Sequence, residues 1–184
     1  MAHPKMRYKP RHPAITSPHA HPVMFDFLAA PLYIRLSPYK LSVRNVRTGL
    51  SINEVPEIAL SRGVNSRILD IGDKAALHRS SKTAIVLNPF DHPRSLVSDF
   101  TTGQRVLKAF VRQLGKRSRF RLAHRIVLHP QGEPAGGYTQ IEIRALHELG
   151  HGIGASSVVV WQGPELTNEQ ILTRRYPTTG QLLE

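Results

Sequence analysis

At 184 residues and 40% apolar content, the chain has the size of one domain with a modest core. It contains no cysteine, which excludes disulfides, thiol catalysis and cysteine-ligated zinc, and no apolar run reaches the length that spans a bilayer. The formal net charge of +12 favours an anionic partner: a membrane surface, nucleic acid or an acidic protein.

Residues 1–22 place Lys5, Arg7, Lys9 and Arg11 among recurrent prolines and histidines. Proline at this density blocks helices and ladders, so a flexible basic arm is expected there and a compact domain over 23–184. The arm has no apolar stretch of signal-peptide type, so a cytoplasmic location is expected. Met24, Phe25, Phe27 and Leu28 follow, an apolar cluster that suits either the core of a small domain or a membrane surface.

Leu32 to Leu36, Leu41 to Val46 and Leu50 to Asn53 read as short strands, separated by the turn signals Ser37-Pro38 and Thr48-Gly49. Their spacing predicts an antiparallel meander. Weaker strand patterns cover 57–60, 68–71 and 84–87, with a short helix at 73–78. The first strong helix follows Phe100. Thr101 and Gln104 have capping-box spacing, and Val106, Leu107, Phe110, Val111 and Leu114 make one apolar stripe. Gly115 marks its stop. A buried-type strand is predicted at 126–128 and a glycine-rich loop at 132–137. A second helix follows from about Thr139 to Gly150, with Ile141, Ala145, Leu146 and Leu149 as its apolar face. A β-branched strand at 156–161 and a terminal helix at 168–174 complete the order. Strands alternating with helices in this way predict an α/β fold, with helices packed on a mixed sheet.

His147-Glu148-Leu149-Gly150-His151 matches the HExxH pattern. There, two histidines one helical turn apart bind zinc and the glutamate takes a proton from metal-bound water. Gly154 also fits the longer metzincin pattern, but Ser157 stands where that pattern has its third histidine. Gln140 and Arg144 share the polar face with the two histidines, and a guanidinium beside them repels a dication. His124, His129 and Glu133 are the remaining candidates for a third ligand. A zinc metallohydrolase is therefore the alternative reading, against two solvated histidines on an amphipathic helix.

The same helix resembles a segment of MreB-type, actin-like cytoskeletal proteins. Thr139 to Glu148, with Gly152-Ile153-Gly154-Ala155 behind it, is similar to that family's TQVERRAIRESAQGAGA stretch. Leu96-Val97-Ser98-Asp99-Phe100 resembles its VIADF. Arg125 to Pro130 resembles RVLVCVP. Ile52-Asn53-Glu54-Val55-Pro56 resembles LNEPS, and Gly72-Asp73-Lys74-Ala75 resembles GHDAK. The pieces stand in the family's order from about residue 24 to 174.

The resemblance implies an actin-like lobe of the ribonuclease H type, with a mixed sheet and flanking helices. It reaches only the family's first lobe; the second phosphate loop and the adenosine pocket belong to the unmatched part. It also implies an altered first phosphate loop. Where the family reads DLGT, this chain has Arg35, Leu36, Ser37 and Pro38. Arginine cannot hold a magnesium ion, and proline removes a backbone donor. The family's catalytic glutamate, in Glu-Glu-Pro, corresponds to Gln162 or Gly163, neither of which acts as a base towards water. ATP hydrolysis and a resident cofactor are thus not expected, zinc belonging to the alternative reading.

Binding surfaces are then the expected working parts. From Phe100 to Gly132 there is no acidic residue. Arg105, Lys108, Arg112, Lys116, Arg117, Arg119 and Arg121 form a basic surface suited to anionic lipid at the inner membrane face or to a protein partner. The expected partner is a full-length MreB-type filament protein. Nucleic acid ranks lower, because few aromatics are interleaved for stacking.

Overall fold

The computed structural model describes residues 30–115, 124–132, 134 and 136–184. The expected arm over 1–22, the Met24–Leu28 cluster, Lys116, Arg117, Arg119, Arg121 and Glu133 lie outside these residues.

A mixed six-stranded sheet forms the centre, in the order β3-β2-β1-β7-β8-β9. The meander appears as expected: β1 (Leu32–Leu36), β2 (Leu41–Asn45) and β3 (Ser51–Glu54) are antiparallel neighbours. The chain then leaves the sheet and returns through α1 (Phe100–Gly115) to β7 (His124–Pro130), which lies parallel to β1. From there α2 (Gln140–Gly152) crosses to β8 (Ala155–Gln162), parallel to β7.

Strand alternation sends neighbouring side chains to opposite faces. Leu32, Ile34, Leu36, Ile126 and Leu128 meet Val106, Leu107, Phe110 and Leu114 of α1 and Leu146 and Leu149 of α2 in the main core. Tyr33, Val127 and Trp161 point the other way, onto Leu166 and onto Ile171 of α3 (Asn168–Thr173). Because β1 is covered on both faces, it reads as a nearly unbroken apolar run.

Gly150 explains how closely α2 lies on the sheet: a Cβ there would stand 2.6 Å from Val158 Cγ2. A glycine inside a helix costs helix propensity. Here it admits the β8 side chain.

The excursion between β3 and α1 forms a second, three-stranded antiparallel sheet in the order β5-β4-β6. Its strands are β4 (Ile58–Ser61), β5 (Ile68–Ile71) and β6 (Ala84–Leu87), with a 3-10 helix over Gly72–His78. Two of the stretches that carry the family resemblance interlock here. The Glu54 carboxylate accepts the Asp73 amide at 3.2 Å, and the Asp73 carboxylate accepts the Val55 amide at 3.2 Å. Gly72 has φ +66°, a conformation that favours glycine, and a Cβ on it would fall 1.7 Å from Glu54 Oε2 and displace the carboxylate that accepts the Asp73 amide.

Three local expectations need correction. The cap of α1 is Asp99 and not the Thr101–Gln104 pair. Its carboxylate accepts the Thr102 amide at 3.0 Å and the Thr102 hydroxyl at 2.6 Å, because the helix begins at Phe100 and a carboxylate suits a helix N-terminus. Those bonds hold the Asp99 carboxyl below the usual carboxylate range. Ile141 is 82% exposed; it sits roughly 120–180° around the helix from the row of Leu146, Gly150 and Ile153. The last strand, β9 (Gln181–Leu183), has no counterpart in the sequence reading and pairs antiparallel with β8 at the sheet edge.

Candidate functional site

The ends of β1, β7 and β8 meet where the altered phosphate loop was expected. Ser37, Pro38, Tyr39 and Lys40 turn β1 into β2. The Ser37 amide donates to the Lys40 carbonyl at 3.0 Å. The Ser37 hydroxyl accepts the amides of Tyr39 at 3.3 Å and Lys40 at 2.9 Å. Pro38 has no amide to give, so every backbone donor of the turn is used within the turn. Two further bonds fix it from outside: the Gln131 amide donates to Leu36 at 2.7 Å, and the Asn88 side chain donates to the Pro38 carbonyl at 2.8 Å.

Arg35 stands at the end of β1 with its guanidinium ion-paired to Glu165, in the segment after β8. The other Glu165 oxygen lies 3.8 Å from Arg44 of β2. Arg44 also covers the Tyr33 ring at 5.1 Å and donates to the Leu166 carbonyl at 3.1 Å. Gly163 adopts φ +152°, and a Cβ on it would lie 2.7 Å from Gly180 Cα and 2.8 Å from Trp161 Cζ2. A side chain therefore has neither the conformation nor the room it needs at 163. Gln162 turns its amide oxygen to Gln181 of β9, 2.9 Å away.

Behind the ion pair runs a buried polar relay. The strand register sets Arg35 opposite His129 of β7. The Leu166 amide donates to the Tyr33 hydroxyl at 3.1 Å, and that hydroxyl lies 2.5 Å from His129 Nδ1. Burial pushes the Tyr33 phenol up, so it keeps its proton and donates. Burial pushes the His129 imidazole down, so the neutral ring accepts at Nδ1. A hydrogen bond with the Gly163 backbone opposes that depression. His129 and Gln162 line an open, polar cleft of about 300 Å³ at the ends of β7 and β8.

No known family model matches the sequence, and neither does any curated protein. Solved structures do match. MreB 5 of Spiroplasma citri bound to AMPPNP superimposes with a TM-score of 0.54 at 17% identity, over 71% of this chain and 38% of that one. The fold is actin-like. The same MreB5 bound to ADP gives 0.54 at 18% identity, over 71% of this chain and 37% of that one. A non-polymerising mutant of MamK bound to AMPPNP gives 0.56 at 14% identity, over 72% and 40%. The chain thus spans about two fifths of the length of these neighbours.

The remaining expected residues scatter. Arg105 is half-buried; its fork donates to the Ser66 hydroxyl at 3.3 Å and carbonyl at 3.1 Å, tying α1 to the small sheet. Lys108 is half-buried and Arg112 exposed. His147 is half-buried with Nε2 3.0 Å from the Leu183 carbonyl of β9, whereas His151 and Glu148 are exposed. His147 is thus a strand contact, not the solvated side chain expected. Among the described residues no three His, Cys, Asp or Glu side chains gather into a metal-binding group. No described helix is long and apolar enough to cross a membrane.

Sequence reasoning missed Tyr33, Arg44 and Glu165 as members of this site, and considered His129 only as a zinc ligand. The period-2 placement of Tyr33 and Arg35 on one strand face was the available signal.

Proposed function

We propose that this chain is a non-catalytic actin-lobe protein that works by binding in cytoskeletal or cell-shape organisation. The observation that carries the reading is the closed Ser37 turn. Its amides are spent on Ser37 and Lys40, so the turn offers a phosphate no backbone cradle of the kind that fixed donors provide. Arg35 and Glu165 support it: a guanidinium occupies the place of a metal-side carboxylate, and the acidic group at hand is already paired with it. Gly163 supports it again, since no side chain fits there to activate water.

The neighbours, solved with AMPPNP or ADP, supply the contrast. A lobe of their fold without nucleotide chemistry retains its surfaces, and its fitting partner is a full-length MreB-type filament protein. The net charge of +12 and the exposed Arg112 suit filaments held near an anionic membrane face. Co-sedimentation with such a filament protein tests the role. The chain is expected in the pellet only when polymer is present, at a fixed ratio to it. Pelleting that is equal with and without polymer, or none with it, refutes the role.

A further inference from the structure

A second feature lies away from β1 and β8, at the tip of the small sheet, where residues 62–67 turn β4 into β5. Val64 stands fully exposed on that turn. The Ser61 amide donates to the Arg67 carbonyl at 2.9 Å, which closes the turn, and the Arg62 amide donates to the Thr83 carbonyl at 2.8 Å, which brings Lys82 alongside. From the other side Arg105 of α1 donates to Ser66. Lys108 lies roughly 60° around the helix from Arg105, on the same side.

The charge at this tip is of one sign. Residues 58–69, 74–90 and 100–115, which supply the hairpin's outer part, β6 and α1, contain no aspartate or glutamate. Arg62, Arg67, Lys82 and Lys108 form no ion pair among the described residues. Asp99, just before α1, is spent on capping that helix through Thr102. At the opposite end of the small sheet the charges are balanced: Glu54 and Asp70 stand with Lys74 and Arg112, and Glu57 pairs with Arg79. The positive excess is therefore confined to the tip. Like charges held together in this way repel one another and favour an anionic surface.

We infer that the β4–β5 tip is a contact surface for anionic lipid headgroups, with Val64 at the headgroup boundary and Arg62, Arg67 and Lys82 around it. The tip is convex, with an aliphatic side chain foremost and cations set behind, the arrangement that suits a flat charged surface with an apolar layer beneath it. Single-stranded nucleic acid would need aromatic faces for stacking, and residues 61–69 hold none. The inference deepens the membrane side of the proposed role and requires nothing of the filament partner. It also shares no residue with the Arg35–Glu165 region, so each reading can fail without the other.

The experiment uses the full chain and vesicles of phosphatidylglycerol mixed with phosphatidylcholine, with no filament protein present. The chain has no cysteine, so Val64→Cys takes a solvent-sensitive fluorophore at that position alone. Its emission is expected to shift to the blue on the anionic vesicles, to stay unshifted on pure phosphatidylcholine, and to revert as salt is raised. A fluorophore on Glu148→Cys, exposed on α2, is expected to stay unshifted on both. The double substitution Arg67→Glu with Lys82→Glu is expected to lower the vesicle partition coefficient about tenfold or more. Both side chains are exposed, and an unchanged circular dichroism spectrum shows that the fold survives. Equal partitioning of the double variant and the parent chain overturns the assignment, because binding then runs through other cations. So does an absence of vesicle binding, an unshifted label at 64 on bound protein, or an equal shift with polyglutamate or duplex DNA in place of vesicles.

Discussion

Arg35 and Glu165 are ion-paired across 130 residues of sequence, joining the end of the first strand to the segment that follows β8. The pair sits where the resemblance to MreB-type proteins places a metal-side acid. A cation and an anion pair there.

Arg35 is 25% and Glu165 50% exposed at the side chain, so solvent screens the pair. Half-exposed pairs contribute about 0.2–1 kcal/mol. A double-mutant cycle of Arg35→Ala and Glu165→Ala, followed by urea unfolding, is expected to give a coupling energy within that range. A coupling of several kcal/mol would mean the pair is far better shielded than its exposure implies.

Gly163 should tolerate nothing larger. Gly163→Ala places a Cβ against Gly180 and Trp161 at a backbone angle that side chains avoid. The expected loss is about 2 kcal/mol or more, read as a lower denaturant midpoint. Gly163→Glu, which places an acid at one of the two positions where the resemblance implies one, is expected to destabilise further and to give no activity.

The buried imidazole of His129 sets a pH dependence. Its pKa is depressed in the fold, so the unfolded chain binds the proton more readily. Above the unfolded value of about 6.5 the ring is neutral in both states and contributes no slope. As pH falls below that, stability is lost by up to about 1.4 kcal/mol per pH unit until the folded pKa is reached. Thermal midpoints taken from pH 7.5 downward should fall below about 6.5, and His129→Gln should flatten that part of the curve. A curve that keeps its slope in the variant would assign the titration to another group.

The strands and helices were largely legible in the sequence, because Val106, Leu107, Phe110 and Leu114 carry a helical period and Leu32 to Leu36 is a buried run broken only by Arg35. The α1 cap was misplaced because a threonine pattern outweighed Asp99, whose role depends on where the helix begins. β9 was invisible: three residues, two of them exposed, have no period, and only the β8 edge makes them a strand. The residues of the β1–β2 turn were legible as identities. Their partners were not, since Glu165 reaches Arg35 through the register of β1, β7 and β8, and His129 meets Tyr33 only through the same sheet.

His147 and His151 should separate cleanly. His147 ties α2 to the last strand through the Leu183 carbonyl, and a hydrogen bond of this kind contributes about 0.5–1.5 kcal/mol. His147→Ala is expected to cost about that much in denaturant unfolding, and exposed His151→Ala less than about 0.5 kcal/mol. Equal large losses from both, reversed by added zinc, would favour a metal centre.

The most direct test of the whole account is a calorimetric titration of the purified chain with magnesium and AMPPNP, paired with a phosphate-release assay on ATP. The closed Ser37 turn and the Arg35–Glu165 pair predict no saturable binding and no phosphate release above buffer. Stoichiometric binding, or turnover that disappears in an Arg35→Ala variant, would contradict the account.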